Sequence, residues 1–144
     1  MENIEGSNWN YSDEELLTIL NNEKLNPQLF KHETHIRVSW TLLKDNALPV
    51  ALDRICSIML AYTSHLGAEE KFHKTLTAAR AYAVFHFKRR SKSTKLKSFL
   101  LEYPQLKYEF KELISSHYSS EALNCIQAQG RYIHPDLSPF YHLT

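Results

Sequence analysis

"FKHETHIRVSW", residues Phe30–Trp40, sets two histidines three positions apart in a stretch whose apolar residues recur at helical spacing. On a helix turning about 100° per residue and carried on through Lys44, residues His32, Ile36, Ser39 and Leu43 fall within about 60° of one another. His35 lies on one flank of that stripe and Trp40 on the other. The segment reads as an amphipathic helix. With three glycines, five prolines and no alternating apolar run of strand length, the remaining chain offers little from which to build a sheet. The expected fold is all-α: a compact single-domain helical bundle of about six helices with an extended C-terminal strap. Residues 1–26 are expected to form an N-terminal helix and linker, and 27–144 the bundle domain.

"SDEELLTIL" announces the first helix, with Ser12 as cap, Glu15 closing a capping box and Leu16, Leu17 and Leu20 on the apolar side, ending near Asn22. Asn26-Pro27 predicts a second start, for the helix that carries the two histidines to about Lys44. Pro49 opens a third, whose Leu52, Ile55, Met59, Tyr62 and Leu66 share a face before Gly67 ends it. The fourth and longest is expected from Ala68 to about Arg90. Beyond the polar connector "SKSTKLKS", two shorter helices divided near Pro104 and a last one over "SSEALNCIQAQG" are expected. The tail, with Pro135 and Pro139, should run extended.

Composition excludes several classes. A formal charge of +1 gives no global bias toward nucleic acid or membrane, and no apolar run approaches the length that spans a bilayer. The acidic, polar N-terminus lacks the basic start and apolar core of a secretory signal, so a cytoplasmic location is expected. Cys56 and Cys125 sit among apolar neighbours, where a free thiol packs as a small hydrophobe, and no disulfide is expected.

The chemical lead is the histidines. Residues three apart on a helix are neighbours, so His32 and His35 can converge on one ligand. In the fourth helix, His73 shares a face with Leu76, Thr77, Arg80, Val84 and Phe87. Should the second and fourth helices turn these interruptions toward each other, His32, His35 and His73 form a three-imidazole set with an open fourth position. Such a set suits a divalent metal, zinc or iron, or metal-free acid–base work. Packed core histidines are the alternative. The "HETH" string is not the zinc-protease motif, which needs four-residue spacing. Arg80 cannot shed its charge, so it must find a carboxylate, a phosphate or carbonyls; a small anionic substrate and an internal salt bridge to Glu33, Glu69 or Asp136 both answer that need.

"FKHETHIRVSW", "EEKFHKTLTAAR" and "IHPDLSPF" together resemble a group of small bacterial all-helical proteins with F-x-H-x-x-H-[LI]-R-x-x-W and K-[YF]-H-x-T-L-T segments, over roughly Phe30 to Phe140. By position the resemblance points to His32, His35, Arg37, Trp40, Lys71, His73, Thr75 and Thr77, and Phe72 stands where tyrosine is common. It implies a site without naming its chemistry. Arg37, Trp40, Lys71, Thr75 and Thr77 are accordingly the expected substrate contacts.

Weaker signals complete the reading. "HFKRRSKSTKLK", from His86 to Lys97, reads as a solvated helix end whose cations favour the helix dipole. His65 falls on an outer face. His117 and His142 have no evident partner, and "HPD" at 134–136 is either a fourth-ligand donor or a plain clasp. The expected function is a small enzyme of lyase, isomerase or hydrolase type acting on an anionic or carboxylated molecule, with His32, His35, His73 and Arg80 catalytic. The competing expectation is a non-catalytic metal, haem or metabolite-binding protein. No nucleic-acid or membrane partner is expected. A homodimer stays open, because periodicity does not separate an exposed apolar face from core.

Overall fold

The structure, a computed structural model, describes residues 8–140; His142 lies outside them. The all-α expectation holds: the described residues form nine α-helices and several short 3-10 turns, with no strand among them. Two compact units divide the chain, residues 1–71 and 72–144.

In the first unit, α1 (Asp13–Asn21) starts where the sequence places it. Ser12 Oγ accepts the Glu15 N–H at 3.1 Å and the Glu15 carboxylate accepts the Ser12 N–H at 2.7 Å, so the capping box is closed. Leu16 and Leu20 are buried. The helix ends with Glu23 in the left-handed region, φ 60°, its N–H donating to the Leu20 carbonyl and that of Lys24 to Ile19.

The next helix departs from expectation. Asn26 does cap, accepting the Gln28 N–H at 3.0 Å, but the element it starts is a single 3-10 turn, Pro27–Leu29. Phe30, at φ −84° and ψ 73°, breaks the path, and α2 runs from His32 to Asp45. The cause is tertiary: the Phe30 ring packs 4.6 Å from Tyr62 and 4.5 Å from His35, contacts a continuous helix would not make. Helix α3 (Leu48–His65) carries Pro49 in its first turn and buries Ile55, Met59 and Tyr62 as expected, whereas Leu66, expected inside, is exposed. Gly67, φ 71°, closes it with the same two-bond ending as α1: Gly67 N–H to Ser64 and Ala68 N–H to Thr63. Helices α1, α2 and α3 pack against one another.

In the second unit, α4 (Lys74–Lys88) begins six residues later than expected, after a 3-10 turn at Glu69–Lys71, and α3 is the longer of the two. Past the connector come α5 (Leu96–Glu102), α6 (Gln105–Tyr108) and α7 (Phe110–Ser115) in place of two helices. The expected last helix is two, α8 (Ser120–Asn124) and α9 (Ile126–Gly130), because Cys125 is extended at φ −72°, ψ 153°. Helix α4 packs mainly on α9, and Ala79, Ile114 and Tyr118 form a core against which Leu76, Phe110, Leu123 and Phe140 pack. Both cysteines are free thiols. No helix among the described residues is long and apolar enough to cross a membrane.

Candidate functional site

The expected site residues divide between the two units. His32, His35, Arg37, Trp40 and Lys71 belong to the first, and His73, Thr75, Thr77 and Arg80 to the second.

His32 is the first residue of α2 and is half-buried, as is His35, whose ring packs on Phe30. Arg37 is buried and engages the chain with all three nitrogens. Nε donates to the Asp13 carboxylate at 2.9 Å, Nη1 to the Asn8 carbonyl at 2.6 Å and the Asn8 side chain at 3.0 Å, and Nη2 to the Tyr11 carbonyl at 2.6 Å. Its guanidinium also lies 4.5 Å from the Trp9 ring. These contacts pin residues 8–13 to α2, aided by Glu33, which accepts from Asn8 and from Trp9 Nε1 at 3.0 Å each. Burial would raise the Asp13 carboxyl, but hydrogen bonds from Arg37 and Lys44 outweigh it and hold the group below its usual range. Trp40 is wholly buried core and Lys71 is exposed.

His73 caps α4. Its Nδ1 accepts the Leu76 N–H at 3.0 Å, so the ring proton sits on Nε2, which donates to the Leu123 carbonyl at 2.9 Å. Both ring nitrogens thus hold the fold, joining the start of α4 to α8. Thr75 is completely buried and clasps the strap, donating to the Arg131 carbonyl at 2.7 Å and accepting the Ile133 N–H at 3.0 Å. Thr77 is buried too. Arg80 stays a cation although desolvation lowers its pKa to about 10, and its guanidinium carbon lies 5.3 Å from the Phe110 ring. Among the described residues no group of three or more His, Cys, Asp or Glu side chains is placed to hold a metal ion.

The second unit holds a cleft of about 300 Å³ that sequence reasoning missed. Helix α4 and its closing turn present Ala83, His86, Phe87 and Arg90; Leu113 comes from α7, His117 from the turn after it, and Ser138, Pro139 and Phe140 from the strap. A signal was present, since residues 83, 86, 87 and 90 follow the spacing of one helical face. What local sequence could not show is the opposite wall. There His117 Nδ1–H donates to the Ser138 carbonyl at 2.8 Å, its backbone carbonyl accepts the Leu137 N–H at 3.0 Å, and the Phe140 ring stacks on its imidazole at 4.1 Å. Tyr118 donates to the Ile133 carbonyl at 2.6 Å, and Asp136 accepts from the Ser119 N–H at 2.8 Å and its hydroxyl at 2.6 Å. The "HPD" segment is therefore a clasp, and it carries the strap to the cleft.

The one fixed charge among the described lining residues is the Arg90 guanidinium. Burial, then the nearby Arg90, His117 and Arg89, depress the His86 pKa below 6.5. Among the described residues no Asp or Glu lines the hollow. The carbonyl of Ser138 fixes the His117 proton on Nδ1, so the neutral ring carries its lone pair on Nε2. A larger depression of about 700 Å³ lies on the other side of Leu113, but it is more open and its charged lining is Glu109 and Glu112. No known protein family, curated protein or solved structure matches the chain.

Proposed function

We propose that the second unit binds a small anionic molecule in the cleft between α4, α7 and the strap, with Arg90 as its charged anchor and His86 and His117 as additional donors. One observation carries this reading: a cation and two imidazoles line a partly apolar hollow to which the described residues contribute no carboxylate. A guanidinium is a planar fork suited to carboxylate or phosphate, and an imidazole beside a bound anion gains a proton and becomes a second charged donor. This reading keeps an anionic ligand and assigns it to His86, Arg90 and His117 in place of His32, His35, His73 and Arg80.

Calorimetric titration of the chain with sodium benzoate and with inorganic phosphate tests the proposal. At least one anion should bind saturably at one site, and Arg90→Gln should weaken that binding about tenfold or more, the loss of one charge-assisted pair. Binding unaffected by Arg90→Gln would refute it.

A second reading, in which the bound molecule is also transformed by proton transfer, draws support from His117, whose tautomer leaves a basic Nε2 on the ring of a residue that lines the cleft. His117→Asn, whose side-chain amide keeps a donor for the Ser138 carbonyl, would then abolish turnover of a substrate while anion binding through Arg90 persists.

A further inference from the structure

The cleft discriminates by shape as well as charge. Its volume, about 300 Å³, lies at the small end of ligand pockets and matches one substituted ring better than a nucleotide or fused ring system. Four of its lining residues carry flat π rings: His86, Phe87, His117 and Phe140. These rings already associate face to face and edge to face. Phe140 stacks on His117 at 4.1 Å and on Tyr82 at 5.5 Å with planes 9° apart, and His86 meets Phe87 edge-on at 5.0 Å. Walls built in this way reward a planar guest with an aromatic quadrupole over a puckered one of equal size. One guanidinium presents two parallel N–H donors, the geometry of a carboxylate's two oxygens.

We infer that the ligand is a single-ring aromatic carboxylate, its ring lodged between Phe87 of α4 and Phe140 of the strap and its carboxylate on Arg90. The inference rests on the anion seat proposed above and adds the chemical class of the guest. Because Phe140 belongs to the strap, the segment that the Thr75, Tyr118 and Ser119 contacts anchor is also the specificity wall.

Benzoate and cyclohexanecarboxylate, equal in charge and carbon count but flat and puckered respectively, separate this claim from the one it rests on. Titrated into the full chain at the same pH, benzoate should bind roughly three- to tenfold more tightly, the range of one good aromatic contact. Phe140→Leu and, independently, Phe87→Leu should each bring the ratio toward one, with helicity by circular dichroism unchanged. The ring protons of Phe140 should also shift on adding benzoate to the unaltered chain, a readout that needs no variant. Equal or tighter binding of cyclohexanecarboxylate would overturn the aromatic assignment and leave the anion seat standing, as would binding of inorganic phosphate alone. Failure of all three probes to bind would remove both.

Discussion

His117 and Ser138, twenty-one residues apart, are joined at 2.8 Å by an Nδ1–H···O bond, and this contact makes the strap a wall of the cleft. The same histidine supports the ring of Phe140 at 4.1 Å, so one side chain orders the strap twice. His117→Ala should therefore loosen the strap more than the helices. Limited proteolysis should cut within 131–140 several times faster in the variant, while the global unfolding midpoint moves little, because strap contacts open locally before the core does.

His86 sets the pH response. Its folded pKa is lowered, so over the window just below pH 6.5 the unfolded chain binds the proton and the folded chain resists it. The contribution of His86 to the stability of the free protein is thus complete above about pH 6.5 and declines as pH falls toward the depressed value. A bound anion reverses the local electrostatics, favours the protonated ring and draws a proton in. Benzoate affinity should accordingly rise severalfold between pH 7.5 and 5.5 as stability falls, and His86→Ala should flatten both curves. Calorimetry in buffers of different ionisation enthalpy would detect the proton uptake directly.

His73 gives an opposite expectation. Its imidazole caps α4 and bonds to Leu123, so His73→Ala should cost about 1–2 kcal/mol in denaturant unfolding, the usual loss for a helix cap. His73→Asn should recover part of this by restoring the acceptor for the Leu76 N–H. Neither change should alter benzoate affinity. A selective loss of ligand binding with full stability would return His73 to the site.

The two matching helix ends provide an internal control on backbone strain. Gly67 and Glu23 both adopt positive φ, at 71° and 60°, with the same hydrogen-bond pattern. A Cβ on residue 67 would meet nothing within 4 Å, so Gly67→Ala reports conformational cost alone and should destabilise by about 1 kcal/mol. Glu23→Gly should stabilise by a similar or smaller amount. Its contact with the His65 ring, at 3.3 Å between exposed side chains, is worth little against that gain.

In the first unit, Arg37→Met should destabilise by about 3 kcal/mol, because it strands the Asn8 and Tyr11 carbonyls and leaves the Asp13 carboxylate to Lys44 alone. Asp13 carries the acid response of this segment. Its pKa is lowered in the folded state, so its contribution is complete above the ordinary carboxylate range and lost as pH falls through the depressed value. Asp13→Asn should lower stability at neutral pH and flatten the decline below about pH 4.

Elements set by local chemistry were legible in the sequence. The Ser12–Glu15 capping box, Pro49 in the first turn of α3 and Gly67 after it all signal through residues within a turn of the boundary. Boundaries set by distant contacts were not legible. The break falls at Phe30, whose ring packs on Tyr62, and α4 starts late at His73, whose ring bonds Leu123, fifty residues away. The candidate site divides the same way. Its α4 face was present as a spacing, yet His86 read as part of a solvated basic run and His117 as partnerless, because the strap that completes the cleft closes only through tertiary hydrogen bonds. Arg37 was singled out only by position in the resemblance, as a substrate contact, and its bonds place its charge on the N-terminal segment.

The most direct test of the anion seat is a histidine-resolved NMR titration of the whole chain with benzoate. The expected result is saturable shifts of the His86 and His117 ring resonances at a common dissociation constant, which Arg90→Gln raises about tenfold or more, while the exposed His65 and His134 stay still. Saturable shifts confined to His32, His35 or His73, or a dissociation constant at His86 and His117 that Arg90→Gln leaves unchanged, would contradict it.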